Sequence, residues 1–316
     1  MSTRHTVRAD DGTPLAAWVD GPDAGPGAGL DPNEGSQVTV VLAHGWTLDH
    51  SSWDRVARAL SAADPALRVV RYDQRGHGAS GRGARRPTIR RLGDDLACVI
   101  GQLAPSGPLV LAGHSMGGMS ILAMAGAHPG VVRDRVAGVG LVSTAASLAQ
   151  EDAGHFASAS GAPPRLRRVA ARALPWLMRL LAALPGRVRV RGQRLDGSRA
   201  LLFGRGADES DVSSTHRVIT ANPAATIGRF FLALSAHHEL DALPVLADVP
   251  TAVLVGSADK LTPPRFSAVI AQALPHAHHE VLDGAGHMLP LERTETVTAH
   301  LLRLSRGSRV DAGQEA

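Results

Sequence analysis

A serine framed by glycines is the strongest chemical signal in the chain. Residues 113–117 read Gly-His-Ser-Met-Gly; the apolar run Leu109–Ala112 leads into them, and a helical pattern follows. Where a strand turns sharply into a helix, a Gly-x-Ser-x-Gly motif lifts the serine hydroxyl off the sheet. Glycine is favoured on both sides because so tight a turn leaves little room for side chains. Ser115 is therefore predicted to be a nucleophile.

A serine hydroxyl needs a general base, and the base needs a carboxylate to orient it. Of the 15 histidines, His287 follows the last apolar run, His279–Leu282, in a glycine-containing turn before the final helix. Asp259 follows the run Thr251–Val255, whereas the stretch after the preceding run has no carboxylate before Glu151. His287 is therefore predicted to be the base and Asp259 the orienting acid.

Developing negative charge on a substrate oxygen would require two backbone N–H donors. Met116, directly after the serine, is expected to supply one. Trp46, in the loop after the run Val38–Leu42, is expected to supply the other. The side chains expected to contact substrate are Trp46, His114, Leu177, Phe230, Phe231 and Met288.

Short apolar runs alternate with helix-like stretches along most of the chain. Two runs flank the turn Asp11-Gly12, and from Val38 onward runs rich in valine and leucine are separated by amphipathic stretches. Runs that are apolar throughout are typical of parallel strands covered on both faces. We therefore predict an α/β fold with a mostly parallel, doubly wound sheet and a helical cap inserted after the sixth strand.

The alternation stops near Thr144 and resumes at Thr251, which suggests a domain division. The predicted units are a core over 1–144 and 249–305, a helical cap over 145–248 and a disordered tail over 306–316. In the cap, a helix is expected to break at Pro175. A later helix is expected to begin with Asn222 as its N-cap.

Several motifs together resemble the α/β-hydrolase superfamily in its esterase, lipase and cofactor-free perhydrolase branches. In chain order they are His44-Gly45-Trp46, Tyr72–Ser80, Gly113–Gly118, Gly256–Pro263 and Gly286-His287. The resemblance implies the α/β-hydrolase fold, the chain order Ser, Asp, His for the triad, and a structural role for Arg75 and His77. Epoxide hydrolases and haloalkane dehalogenases are similar but carry aspartate where Ser115 stands, which argues against both activities.

The protein is predicted to be a serine hydrolase that cleaves a carboxylic ester or related acyl substrate through an acyl-enzyme on Ser115. The alternative is a specialised hydrolase or lyase on the same triad, such as a thioesterase, a C–C hydrolase or a cofactor-free perhydrolase. A third reading is a ligand-binding protein without turnover. The natural substrate and the oligomeric state stay open.

Composition favours a small-molecule acyl substrate over nucleic acid. There are 33 basic and 29 acidic residues, and the arginine runs at 82–91 and 165–172 lack the interleaved aromatics of RNA-binding motifs. Binding of a basic cap helix to anionic membranes is a less favoured alternative. The single cysteine, Cys98, and the lack of an apolar leader or span favour the cytoplasm. No histidine spacing suggests a metal, and no cofactor is expected.

Overall fold

All eight strands that the structure describes belong to one sheet. The computed structural model describes residues 2–22, 37–148, 164–186, 188–190 and 195–312. The strands are β1 (Thr3–Arg8), β2 (Pro14–Asp20), β3 (Thr39–Ala43), β4 (Arg68–Tyr72), β5 (Leu109–His114), β6 (Val136–Val142), β7 (Thr251–Gly256) and β8 (His278–Leu282). Their order is β1-β2-β4-β3-β5-β6-β7-β8. Only β1–β2 and β2–β4 are antiparallel pairs, which confirms the predicted mostly parallel sheet.

Helices alternate with the strands along the chain. They are α1 (Asp54–Ala63), α2 (Ile89–Leu103), α3 (Met116–Ala127), α4 (Pro129–Arg135), α5 (Pro164–Ala183), α6 (Leu195–Leu202), α7 (Glu209–Ala221), α8 (Ala224–Ser235), α9 (Pro264–Ala273), α10 (Leu289–Glu292) and α11 (Thr294–Ala312). Short 3-10 helices lie at His50–Trp53 and Leu240–Leu246. Helices α5 to α8 all fall between β6 and β7, within residues 145–248, called the insertion below.

The sheet separates two hydrophobic cores, since successive residues of a strand point to opposite faces. In β3, Val41 belongs to the core that includes Leu96 of α2 and Ile121 of α3. Its neighbour Leu42 belongs to the core that includes Leu60 of α1 and α11 residues. The parallel strands β3 to β7 are thus covered on both sides, and their carboxyl ends are left to carry the site.

The structure corrects the predicted break at Pro175, because α5 runs through it. Proline removes one backbone donor from a helix. Packing of α5 against α8 offsets that loss: a Cβ at Gly228 of α8 would lie 2.4 Å from the carbonyl oxygen of Met178. The two backbones therefore approach closely, and this contact holds α5 together across the proline.

The structure also corrects the role of Asn222, which ends α7 as its C-cap instead of beginning α8. Its Nδ2 donates to the carbonyl oxygens of Val218 and Thr47, at 2.9 and 2.7 Å. The residue that precedes α8 is Pro223, with φ −64° and ψ 144°. Asn222 thus ties the insertion to the loop after β3.

The last helix corrects part of the predicted disordered tail. Helix α11 continues to Ala312, so residues 306–312 are helical, while 313–316 lie outside the described residues. Two α11 residues, Val297 and Leu301, are buried against the sheet and anchor the helix. None of the described helices combines the length and the apolar character needed to cross a bilayer.

Candidate active site

Ser115 occupies a strained turn between β5 and α3. Its backbone has φ 53° and ψ −118°, a conformation that residues with a side chain rarely adopt. Hydrogen bonds hold it there: Ser115 N donates to Val142 O at 2.9 Å, and the Thr144 hydroxyl donates to Ser115 O at 2.7 Å. The half-buried side chain lies at the mouth of a cavity at the carboxyl edge of the sheet.

The two glycines of the motif are required by close backbone contacts. A Cβ at Gly113 would lie 2.3 Å from Gly118 N, and a Cβ at Gly117 would lie 2.1 Å from Ala43 O. Both distances are far below ordinary contact, and in each case the obstacle is backbone that cannot swing aside. The turn therefore excludes side chains on both sides of Ser115, as the sequence motif predicts.

His287 and Asp259 form a buried hydrogen-bonded pair. Asp259 lies in the loop after β7 and His287 in the loop after β8, and His287 Nδ1 is 2.8 Å from Asp259 Oδ2. Burial alone would raise the pKa of Asp259, but the facing His287 and the hydrogen bonds from Thr262 outweigh it and lower that pKa. An ionised Asp259 accepts the Nδ1 proton, which leaves Nε2 of a neutral His287 free to accept another.

Thr262 is a member of this cluster that the sequence analysis missed. Its Oγ1 lies 2.8 Å from Ser143 O, 2.9 Å from Asp259 Oδ2 and 3.3 Å from His287 Nδ1. Asp259 Oδ1 accepts the backbone N–H groups of Leu261 and Thr262, at 2.9 Å each. A threonine three residues after the acid and directly before a proline was the available signal, since a carboxylate there can accept such N–H groups.

His114 lies beside the pair as a neutral ring. Its centroid is 4.8 Å from that of His287, and its Nε2 donates to the His287 carbonyl oxygen at 2.8 Å. Burial, then the neighbouring His287, lower the pKa of His114 to about 3. His114 therefore positions the His287 loop and carries no charge at neutral pH.

The oxyanion groups predicted at Met116 and Trp46 belong to the residue after Ser115 and to a residue that lines the same cavity. Met116 begins α3, and the first N–H groups of a helix have no partner within it. Trp46 is the second residue of the turn that Leu48 N closes on Gly45 O at 3.2 Å, followed by Thr47 with φ 61°. In such a turn the N–H of the second residue is left free. Asn222 holds Thr47 O and so fixes this turn from the insertion.

The cavity above Ser115 has a volume of about 670 Å³ and mostly apolar walls. The expected residues Trp46, His114, Phe231 and Met288 line it. Apolar side chains of the insertion complete the wall: Leu174, Met178, Leu201, Leu202, Ile219, Ile227 and Leu234. One polar feature of the wall is Ser198, whose hydroxyl is 2.9 Å from His216 Nδ1.

The structure corrects two of the expected substrate contacts. Leu177 is 46% exposed on the outer side of α5 and does not line the cavity. Phe230 is buried behind the wall, where its ring lies 4.6 Å from that of His77. Helical spacing identified both as apolar positions, but the helices turn their neighbours Met178 and Phe231 to the cavity instead.

Arg75 and His77 have the structural surroundings that the resemblance implies. The buried guanidinium of Arg75 pairs with Asp95 through two hydrogen bonds of 2.5 Å. Burial, then the neighbouring His44, lower the pKa of His77 to about 3.

One group of three potential metal ligands occurs among the described residues, away from the cavity. Nitrogen and oxygen atoms of His278, Glu280 and His300 lie within 4.8 Å of one another. His300 Nε2 donates to Glu280 at 2.7 Å. Ligand spacing did not reveal this group because His300 comes from α11 and the others from β8.

Comparison with known proteins agrees with the architecture. The family model described as alpha/beta hydrolase fold matches residues 38–294. The solved structure of a thermophilic esterase from Thermogutta terrifontis has a TM-score of 0.72 and 25% identity, with 97% of this chain and 99% of that chain covered.

Two of the curated relatives come from mycobacteria. A protein named probable oxidoreductase EphD from Mycobacterium tuberculosis is 26% identical over 93% of this chain and 48% of its own length, so the chain spans about half of that relative. A monoacylglycerol lipase from Mycolicibacterium smegmatis is 35% identical over 31% of this chain and 36% of its own. The family match over residues 38–294 agrees with the order of the strands and with the strained turn at Ser115. The chain therefore belongs to the alpha/beta hydrolase fold family.

Proposed function

We propose that the protein is a serine hydrolase that cleaves carboxylic esters or related acyl substrates. The observation that carries this proposal is that Ser115 and His287 line the same mostly apolar cavity, and that His287 is hydrogen-bonded to the buried Asp259. The likeness to an esterase structure and, over a shorter stretch, to a lipase supports the same class of reaction.

The proposed reaction has two acyl transfers. His287 Nε2 takes the hydroxyl proton as Ser115 Oγ attacks the acyl carbon, and Asp259 stabilises the imidazolium. The N–H groups of Met116 and Trp46 bind the oxygen that becomes negative. His287 then gives its proton to the leaving alkoxide as the carbon–oxygen bond breaks. In the second transfer His287 takes a proton from the water that attacks the acyl carbon, and it gives this proton to Ser115 Oγ as the bond between Oγ and the acyl carbon breaks and the acid leaves.

The insertion is proposed to act as a cap that shapes the acyl pocket. It supplies most of the apolar wall, and His287 N donates to Leu202 O of α6 at 2.7 Å, so it contacts the site directly. We accordingly propose core units at 1–144 and 249–305 with a cap at 145–248. Acyl chains of moderate length suit an apolar cavity of about 670 Å³ better than charged acids do.

A second candidate is a pathway-specific hydrolase or lyase on the same triad. The hydroxyl of Ser198, which lines the cavity and lies 2.9 Å from His216 Nδ1, favours it, because a polar group on a mostly apolar wall can recognise a polar group of the substrate. Thioesters and C–C bonds of diketones are substrates of this type.

Turnover of p-nitrophenyl esters of graded acyl length tests the proposal. The wild type should hydrolyse them, and Ser115→Ala should fold normally yet lose activity by several orders of magnitude. Ser235→Ala is the matched control, since it removes an exposed hydroxyl of α8 that does not line the cavity and leaves the triad intact. Activity of Ser115→Ala within about tenfold of wild type would remove Ser115 as nucleophile. Rapid turnover favours the general esterase, and slow turnover favours the specific enzyme.

A further inference from the structure

The positive charge of the chain is concentrated in one segment. Residues 153–195 contain nine of the 33 basic residues, all arginines, and no acidic residue. This leaves 24 basic against 29 acidic residues elsewhere, so the remainder of the chain is net acidic. Helix α5, Pro164–Ala183, lies within this basic segment.

The outer face of α5 carries the most exposed large apolar side chains of the described residues. Trp176 is 63% exposed, Leu177 46% and Leu180 47%. Their spacing puts them on one side of the helix, and the exposed Arg172 and Arg179 border this stripe one turn away from Trp176. Such a stripe, with tryptophan and bordering arginines, is typical of helices that lie in a membrane interface.

The inner face of α5 is already used within the fold. Leu174 and Met178 line the cavity, and the helix packs on α8. At the end of α5, Arg82 donates to Gly186 O at 2.7 Å, which brings a loop with further exposed arginines alongside. The exposed stripe is therefore bordered by positive charge, and its three apolar side chains belong to none of the hydrophobic cores of the described residues.

We propose that this outer face of α5 binds the surface of membranes containing anionic lipids. Trp176, Leu177 and Leu180 enter the interface, while Arg172 and Arg179 contact lipid phosphates. The helix lies along the surface. Nucleic acid would be attracted by the same arginines but gains nothing from buried leucines. Membrane binding is a less favoured alternative on the sequence alone, because the sequence does not reveal that these apolar side chains face outward. The proposal does not depend on the proposed hydrolase activity.

Sedimentation with vesicles tests the proposal, using phosphatidylcholine alone or mixed with phosphatidylglycerol. The wild type should bind the mixed vesicles only, and less as salt rises. Trp176→Ser/Leu180→Ser and Arg172→Glu/Arg179→Glu should each weaken binding at least about tenfold. Trp176 emission should shift to the blue on binding, a signal that Trp176→Phe lacks.

Two substitutions elsewhere serve as matched controls. Val269→Ser removes an exposed apolar side chain on α9, and Arg58→Glu reverses an exposed charge on α1. Both should bind like wild type, and thermal unfolding verifies the fold of every variant. The proposal is overturned if the wild type does not bind the mixed vesicles. It is also overturned if the charge reversal weakens binding and the loss of Trp176 and Leu180 does not; binding of a nucleic acid competitor would then identify a purely electrostatic surface. Vesicle binding without ester turnover would overturn the proposed function alone.

Discussion

Replacing Asp259 with asparagine alters one atom of a carboxylate that the structure holds in a fixed orientation. Oδ1 accepts two backbone N–H groups, and Oδ2 faces Thr262 Oγ1 and His287 Nδ1. An amide NH₂ at the Oδ1 position would oppose both N–H groups and forfeit two hydrogen bonds, worth about 1 kcal/mol each. The amide oxygen therefore stays there, and the NH₂ faces His287.

An NH₂ beside Nδ1 favours the imidazole tautomer with its proton on Nε2, which cannot accept the Ser115 proton. We expect kcat to fall by about 10³–10⁴, equivalent to about 4–5 kcal/mol of transition-state stabilisation. KM should change little because Asp259 is buried behind His287. The melting temperature should stay close to wild type, since Thr262 Oγ1 can accept from the NH₂ and donate to Ser143 O at 2.8 Å.

Steady-state hydrolysis of a p-nitrophenyl ester measures this effect. Asp241→Asn is the control, because Asp241 is an exposed carboxylate of the insertion and its loss should leave kcat unchanged. If Asp259→Asn retains activity within about tenfold of wild type, Asp259 is not the orienting acid. A loss of kcat in Asp241→Asn would then point to that residue.

Three further substitutions follow from the described contacts. Thr262→Val should lower kcat roughly tenfold and leave KM unchanged because Asp259 loses a hydrogen-bond donor. Thr262→Ser keeps the hydroxyl and should have the kcat of the wild type. Equal kcat values for the valine and serine variants would show that the hydroxyl does not contribute to the rate. The kcat/KM should rise up to about fourfold per added acyl methylene until the cavity is filled. Phe231→Ala should change the chain length at which this rise ends, whereas replacement of the exposed Leu177 by alanine should not. A kcat/KM independent of chain length in all variants would exclude the cavity as the acyl pocket. Burial lowers the pKa of His77 from 6.5 to about 3, so the folded protein binds this proton less readily than the unfolded chain. The free energy of unfolding is therefore highest above pH 6.5 and decreases as the pH falls towards 3. Measured by denaturant unfolding, the free energy of unfolding should decrease between these limits by up to about 1.4 kcal/mol per pH unit through this residue. The same dependence on pH in His77→Gln would contradict this.

The centre of the sheet could be predicted because strands β3 to β7 are buried on both faces. Such strands read as continuous apolar runs, and the runs Leu109–Ala112 and Thr251–Val255 lie within β5 and β7. The strained turn at Ser115 was also predictable, since only glycines fit where backbone lies 2.1–2.3 Å from a Cβ.

The insertion was harder to predict because the described part of α5 carries apolar side chains both towards the cavity and towards the outside. Periodicity identified Leu177 as apolar but could not tell an outward stripe from an inward one, and only the packing on α8 decides it. Asn222 and Thr262 act through hydrogen bonds to distant residues, Thr47 and Ser143, and no local pattern encodes such partners.

Covalent labelling of the nucleophile tests the central claim most directly. The wild type, treated with a fluorophosphonate and analysed by peptide mass spectrometry, should carry the adduct on Ser115, and Ser115→Ala should remain unlabelled. An adduct on Ser120 or Ser143, or no adduct on the folded wild type, would contradict the account.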